Sequence, residues 1–237
     1  MGLTITTIAS GSKGNAYHIS DGQTSLLLEA GVPFKQIQKA LKFNLQSPVG
    51  CLITHEHMDH AKYTNQMLSA AINCYMSTGT ASALNIEHHR IKTIQANKQY
   101  QIGTWTIIAF DVQHDVNEPF GFLIRSKEGD VLLFATDTYY IKQRFKGITH
   151  MMIECNYAQS VLDQNLEQGK IHNFLYKRVM KSHFSLENLT EFIKANDLSQ
   201  VDEIHLLHLS DKNSDEKLMY ETIAKLTGKR VIIAKGE

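Results

Sequence analysis

The sequence predicts an α/β fold in which two α/β units pack as a four-layer α/β/β/α sandwich, within one domain that covers residues 1–237. Strand and helix patterns alternate in both halves of the chain. No repeat, low-complexity tract or Pro-rich linker separates the halves, and 237 residues suffice for one large domain with a substantial core.

The first half opens with a meander and continues with helices and strands. β-like runs at Leu3 to Ala9 and Ala16 to Ser20 flank a glycine-rich turn, and a third run covers Thr24 to Glu29. Pro33 begins a helical pattern with its apolar residues on one face. The apolar run Val49 to Ile53 predicts a buried strand. A helix, a strand and a second helix follow, to about residue 85.

Strands dominate the middle of the chain, and helices return after it. Patterns of period two predict strands at 99–102, 104–110, 120–126 and 130–135. Further strands are expected near 151–154, 203–207 and 231–234, separated by helical segments near 160–181, 185–195 and 214–226.

Composition argues against several classes of protein. With 24 basic and 24 acidic residues, the chain has no overall charge to attract nucleic acid or a membrane surface. No run approaches the roughly 18 apolar residues of a membrane span, and the N-terminus lacks a secretion signal, so we expect a cytoplasmic protein. Cys51, Cys74 and Cys155 are expected to be reduced packing residues. Nothing in the sequence supports an oligomer, although one is compatible with it.

The segment Thr54 to His60 carries the chemistry, because it places three histidines and an aspartate directly after a buried strand. His55 and His57, two apart on an extended backbone, project to one side, and the following turn can bring Asp59 and His60 to a second metal. Such residues rarely cluster without a metal or a catalytic purpose. The segment therefore predicts a two-metal hydrolase.

Two metals need more ligands, and three residues at the ends of predicted strands supply them. These are His114, Asp137 and His208. Each alone has about even odds of being structural, but with the cluster they complete a set of seven. The set matches two metal sites that share one carboxylate.

In order and over nearly the whole chain, these residues resemble the metallo-β-lactamase superfamily. The resemblance implies a first metal held by His55, His57 and His114, a second held by Asp59, His60 and His208, and a bridge between them at Asp137. Imidazole and carboxylate ligands without a thiolate suit two divalent ions, Zn²⁺ or Mn²⁺. Asp rather than Cys at position 137 disfavours the lactam-hydrolysing branches. A hydroxide held between the metals would attack the substrate, and we take Asp59 as a catalytic residue as well as a ligand.

Three motifs look closest to the YycJ/WalJ-type, exonuclease-like branch of that superfamily. They are Ser10-Gly11-Ser12-Lys13-Gly14-Asn15, the segment from His114 to Gly121, and His208-Leu209-Ser210. The resemblance implies a DNA exonuclease, with DNA as the substrate partner. The glycine-rich opening is either a tight turn or a phosphate cradle, and Ser12 and Asn15 are its candidate substrate contacts.

His183 is the candidate general acid. Phosphodiesterases of the superfamily carry a His-x-Ser or His-Ser-Thr element at this place in the order, close to the leaving group. Histidine can donate a proton to a departing alkoxide because it titrates near neutrality. The alternative is a residue at a helix start beside the cap Ser185. The stretch from Lys170 to His183 mixes basic and aromatic residues and could contact nucleic acid or form a solvated helix face.

Two departures from the family pattern matter. Glu29 stands where relatives usually have the Asp that orients a ligand histidine, and its extra methylene changes its reach. The run Asn156-Tyr157-Ala158 replaces a common Asn-His-Asp. The main alternative function is a small-molecule hydrolase, either a cyclic phosphodiesterase or a glyoxalase II-like thioesterase. A non-catalytic binding module stabilised by metal is less favoured.

Overall fold

The computed structural model describes residues 2–44 and 48–236, and the chain divides into two compact units. The first unit comprises Met1–Asp111, Val116–Asp130 and Lys235–Glu237. The second comprises Val112–Asp115 and Val131–Ala234. The single domain over residues 1–237 stays a prediction.

The first unit contains a six-stranded sheet in the order β1-β2-β3-β4-β5-β6. The first three strands form an antiparallel meander, and β3 to β6 are parallel to one another. This confirms the predicted meander and the buried strand that precedes the histidine cluster. The strands are β1 (Thr4–Ala9), β2 (Ala16–Ser20), β3 (Ser25–Leu28), β4 (Pro48–Leu52), β5 (Cys74–Met76) and β6 (Ile91–Thr93).

Short helices connect the parallel strands of this unit: α1 (Phe34–Ala40), α2 (Met58–Ala61), α3 (Thr64–Ser69) and α4 (Thr78–Leu84). Helix α1 follows Pro33 as predicted, and its Ile37 is buried in a core with Leu27, Cys51 and Met67. An antiparallel run follows in the predicted places, with β7 (Gln99–Ile102), β8 (Trp105–Asp111) and β9 (Phe120–Arg125).

The second unit is built on four parallel strands in the order β10-β11-β12-β13. Parallel strands bring their carboxyl ends to the same edge, where ligand sites of α/β sheets are found. The elements are β10 (Val131–Ala135), β11 (His150–Glu154), β12 (Glu203–Leu207), β13 (Arg230–Ile233), α5 (Gln159–Glu167), α6 (Asn173–Ser182), α7 (Leu186–Lys194) and α8 (Glu216–Thr227).

One predicted helical segment is wrong. The helical segment near 160–181 is two helices, because α5 ends at Glu167 and Gly169 takes a left-handed conformation with φ of 66°. The amide of Gly169 donates to the carbonyl of Leu166, and α6 begins four residues further on. Leu162 of α5 and Val179 of α6 belong to one hydrophobic cluster, which also includes Ile171 of the connecting loop.

Two expectations from composition can be compared with the described residues. Cys51, Cys74 and Cys155 are buried and free, as predicted. Among the helices of residues 2–44 and 48–236, none combines the length and the apolar character needed to cross a membrane.

Candidate metal centre

The first unit gathers four of the predicted ligands into one cluster, which we call the first-unit cluster: His55, His57, Asp59 and His60. The ring centroids of His55 and His57 lie 4.9 Å apart, and those of His55 and His60 lie 4.3 Å apart. Nε2 of His60 is 3.4 Å from Oδ2 of Asp59. The extended segment after β4 and the short helix α2 therefore bring these side chains together, as the spacing predicted.

Two neighbouring loops support this segment by close backbone contact. The amide of Asn15 donates to the carbonyl of Asp59 over 2.7 Å, and the amide of Ala30 donates to the carbonyl of His60 over 2.7 Å. At Gly31 a Cβ atom would lie 1.7 Å from the Asp59 carbonyl oxygen, so only glycine fits. The glycine-rich opening, through Asn15, and the loop at Ala30 and Gly31 therefore hold the backbone of Asp59 and His60 in place.

Asn15 has a supporting position, which corrects part of the predicted phosphate cradle. It is buried, its Oδ1 accepts the amide of Gly11 over 2.9 Å, and its Nδ2 lies 3.1 Å from Nε2 of His60. The amide of Gly14 donates to the carbonyl of Gly11. The amides of Gly11 and Gly14 are thus used inside the loop. Ser12 is exposed at the turn, and its contact with substrate stays a prediction.

Glu29 lies beside His60, as its expected orienting role requires. The carboxylate is fully buried, with Oε2 3.6 Å from Nδ1 of His60 and 3.4 Å from the amide nitrogen of Thr54, which donates to it. Burial raises the pKa of Glu29, while the nearby His60 opposes the rise. The longer side chain still reaches the histidine, and the backbone at Glu29 is left-handed with φ of 67°.

The second unit forms its own group of polar residues, the second-unit cluster: His114, Asp137, Glu154, His183 and His208. Asp137 and His208 follow the parallel strands β10 and β12, and Glu154 ends the strand β11 between them. Asp137, Glu154, His183 and His208 each offer a ligand atom within 4.8 Å of the others. Asp137 and His208 have left-handed backbones, with φ of 47° and 52°. Such conformations are sparsely populated for residues other than glycine and concentrate at functional sites.

Asp137 presents its two carboxylate oxygens to different histidines. Oδ2 lies 3.9 Å from Nε2 of His114, and Oδ1 lies 3.9 Å from Nε2 of His208. The hydroxyl of Thr136 donates to Oδ1 over 2.8 Å. Oδ2 is also 3.9 Å from Nδ1 of His183, so Asp137 lies among three imidazoles, and its role as the bridging ligand stays a prediction.

Glu154 is the functional residue that the sequence reasoning missed. It is fully buried, and its Oε1 lies 2.6 Å from Nδ1 of His183. Its Oε2 accepts the backbone amides of Thr138 and Phe184 over 3.0 and 3.1 Å. An acidic residue that ends the apolar run Met151-Met152-Ile153 was the available signal, because Asp137 and His208 also follow apolar strands.

His183 is the last side chain of the group and is partly accessible. Its side chain is 20% exposed, and its ring stacks on that of His208 with centroids 5.5 Å apart. His183 follows α6 directly, while Ser185 caps α7 by accepting the amide of Asn188. The predicted cap is therefore confirmed, and it leaves the His183 ring directed at the cluster.

Most of the cluster imidazoles are held at Nδ1. Nδ1 of His55 lies 2.8 Å from the Thr54 hydroxyl, and Nδ1 of His114 lies 2.8 Å from the carbonyl of Ser182. Nδ1 of His208 is 3.0 Å from the amide of Asn156. Partners at Nδ1 fix the ring orientation and leave Nε2 available to a metal. With nitrogen and oxygen donors only, each cluster has a chemistry that fits a divalent cation such as Zn²⁺ or Mn²⁺.

The sequence matches a known family over most of its length. The model of the beta-lactamase superfamily domain matches residues 24–208, a range that includes parts of both units. The exodeoxyribonuclease YycJ of Bacillus anthracis is 25% identical, over 100% of this chain and 91% of its own length. The exodeoxyribonuclease WalJ of Streptococcus pneumoniae is 27% identical, over 94% of this chain and 87% of its own length.

Solved structures show the same fold. The metallo-β-lactamase fold protein YhfI from Bacillus subtilis matches with a TM-score of 0.75 at 15% identity, covering 99% of this chain and 96% of that chain. At this identity the likeness concerns the fold alone. It confirms the predicted fold class.

Proposed function

This chain belongs to the beta-lactamase superfamily and is a metal-dependent hydrolase, and within that class we propose that it is a two-metal phosphodiesterase that degrades DNA from an end. The exodeoxyribonuclease names of relatives that align with nearly the whole chain support the substrate. The observation that supports the reaction type is the Glu154–His183 pair, because its histidine, which we take as the proton donor, lies beside Asp137 and His208.

We assign the metal ligands as the sequence predicts them. One ion would be held by His55, His57 and His114, the other by Asp59, His60 and His208, with Asp137 shared between them. When bound, the two cations lower the pKa of a water molecule toward neutrality and neutralise the charge on the phosphate oxygens. The buried Glu29, which lies beside Nδ1 of His60, would orient this ring for its ligand role.

His183 completes the reaction by supplying a proton to the departing alkoxide. Glu154 accepts a hydrogen bond from Nδ1 and stabilises the protonated ring, so that Nε2 is the atom that gives up its proton. The two backbone amides at the far oxygen of Glu154 keep the carboxylate in place. A fixed carboxylate behind a histidine is the arrangement that sets the ring tautomer in other hydrolases.

Helix α6 supports a polyanionic substrate. It leads to His183 and exposes Lys177 and Lys181 together with Phe174, whose side chain is 80% exposed. Arg178 is also exposed, with its Nε 3.6 Å from Oδ2 of Asp115. Basic side chains along one element attract phosphates, and an exposed ring can stack on a base. Tyr176 is not part of this surface, because its hydroxyl donates to Asp163 over 2.8 Å.

Substrate choice tests the proposal. The purified protein, loaded with Mn²⁺ or Zn²⁺, is incubated with linear and circular duplex DNA, single-stranded DNA, RNA and bis-p-nitrophenyl phosphate. We expect loss of linear but not circular DNA, abolished by Asp59→Ala and retained by the surface control Asp197→Ala. Cleavage of the small diester alone would indicate a small-molecule hydrolase, and cleavage of circular DNA would contradict digestion from an end.

A second variant tests the role of His183. His183→Ala should keep its bound metal, measured by elemental mass spectrometry. Its DNA turnover should fall roughly 100-fold or more, which is the scale of lost general acid catalysis. Loss of metal in this variant would instead make His183 a ligand or a structural residue.

A further inference from the structure

The second unit contains a cavity of about 410 Å³, lined by residues that are close in sequence to Asp137 and to the proposed proton donor. Its lining includes Tyr139, Tyr140, Lys142, Gln143, Arg144 and Phe184. Tyr139 is two residues after Asp137, and Phe184 directly follows His183. We propose that this cavity is a nucleotide subsite, which holds one base of the substrate strand and its phosphate. The proposal rests on the proposed function and names the part of the substrate that is recognised.

The cavity presents aromatic rings on an ordered backbone. The side chains of Tyr139 and Tyr140 are 37% and 54% exposed. The amide of Tyr139 donates to the carbonyl of Gln113 over 3.1 Å, and the hydroxyl of Thr138 donates to the carbonyl of Tyr140 over 2.9 Å. Exposed tyrosines held in this way lose little conformational entropy when a base stacks on them.

The charges around the cavity suit a phosphate. Lys142 and Arg144 are exposed, and Nη1 of Arg144 donates to the carbonyl of Ala195 over 2.7 Å, which anchors the guanidinium. The one acidic residue of the described lining, Glu191, is paired with Lys194 over 2.9 Å. The remaining N–H groups of the arginine can bind an anionic oxygen. A volume of about 410 Å³ is within the range of small-ligand sites.

The test compares two chromogenic diesters with the same leaving group. The ratio of kcat/KM for the p-nitrophenyl ester of thymidine 5′-monophosphate to that for bis-p-nitrophenyl phosphate reports recognition of the nucleoside. We expect wild type to favour the thymidine ester at least about tenfold, and Tyr139→Ala and Tyr140→Ala each to lower the ratio by about fivefold or more, the smaller end of base-stacking effects. The control Tyr220→Ala, at a 46% exposed tyrosine on α8, should leave the ratio unchanged.

A binding measurement separates this subsite from the proposed function. Thymidine 5′-monophosphate should bind wild type in equilibrium dialysis, and the binding should weaken at least fivefold in Tyr140→Ala but not in Tyr220→Ala. Binding with this pattern in a protein that cleaves no diester would support the subsite and overturn the phosphodiesterase. Cleavage of both diesters without a nucleoside preference, or a preference untouched by both cavity variants, would overturn the subsite and leave the phosphodiesterase intact.

Discussion

Glu154→Gln is the sharpest test of the proposed proton donor, because it removes one charge at almost constant volume. Oε2 of Glu154 accepts two backbone amides, those of Thr138 and Phe184. In the variant, only the amide oxygen of the glutamine can take that place, since an NH₂ group there would face two N–H donors. The NH₂ group must then face Nδ1 of His183, which becomes an acceptor instead of a donor.

The expected loss of DNA turnover follows from the hydrogen bond between residue 154 and His183, which the substitution changes from a charged to a neutral one. A hydrogen bond to a charged partner contributes about 1.5–3 kcal/mol, against about 1 kcal/mol for a neutral one. If the full charged bond is lost when the imidazolium loses its partner, the rate falls roughly 10- to 150-fold, at 1.36 kcal/mol per factor of ten. We therefore expect DNA turnover to fall within that range while the protein stays folded.

The assay uses the leaving group to isolate the effect. DNA releases an alkoxide, which needs a proton, whereas bis-p-nitrophenyl phosphate releases a much weaker base that departs without one. Glu154→Gln should therefore slow DNA cleavage far more than cleavage of the small diester. Glu203→Gln is the matched control, because Glu203 also holds a histidine, His205, over 2.9 Å, at the start of β12. Equal losses on both substrates, or loss of bound metal, would refute the reasoning.

Three further predictions concern the metals and their support. Gly31→Ala places a Cβ atom against the Asp59 carbonyl, at an overpacking cost of about 1–3 kcal/mol. The melting temperature should therefore fall by roughly 2–12 °C in a thermal scan, with Gly2→Ala unchanged. Asp137→Asn should lose most bound metal by elemental analysis, unlike the surface variant Asp197→Asn; full retention would contradict the bridging role. Removal of metal with EDTA should stop DNA cleavage, and added Mn²⁺ or Zn²⁺ should restore it; cleavage that persists without metal would contradict the assignment.

Local sequence patterns predicted the helices and strands well where the apolar residues followed a clear period. Strands β2, β7 and β12 have the predicted bounds, because alternating or continuous apolar residues ended at clear turn signals. The break between α5 and α6 was missed, because both helices have the same period and only Gly169 marks the gap. Ser185 was recognised as a cap because its partner, Asn188, lies three residues away in sequence.

Contacts between residues far apart in sequence account for what was missed at the site. Glu154 pairs with His183 across 29 residues, and only the parallel register of β10, β11 and β12 places it between Asp137 and His208. The supporting role of Asn15 depends on its contact with His60, which is 45 residues away. A sequence shows which side chains follow strands, but not which strands are neighbours.

Residue periodicity and ligand spacing are local properties of the chain, and they were sufficient to predict the fold class, the family and the clustering of His55 to His60. The tertiary structure decided that the two oxygens of Asp137 face different histidines and that Glu154 holds His183. It also decided that the glycine-rich opening supports the histidine segment. These features depend on strand order and on backbone contacts that are too close for a side chain to fit between them. Neither can be predicted from the local sequence.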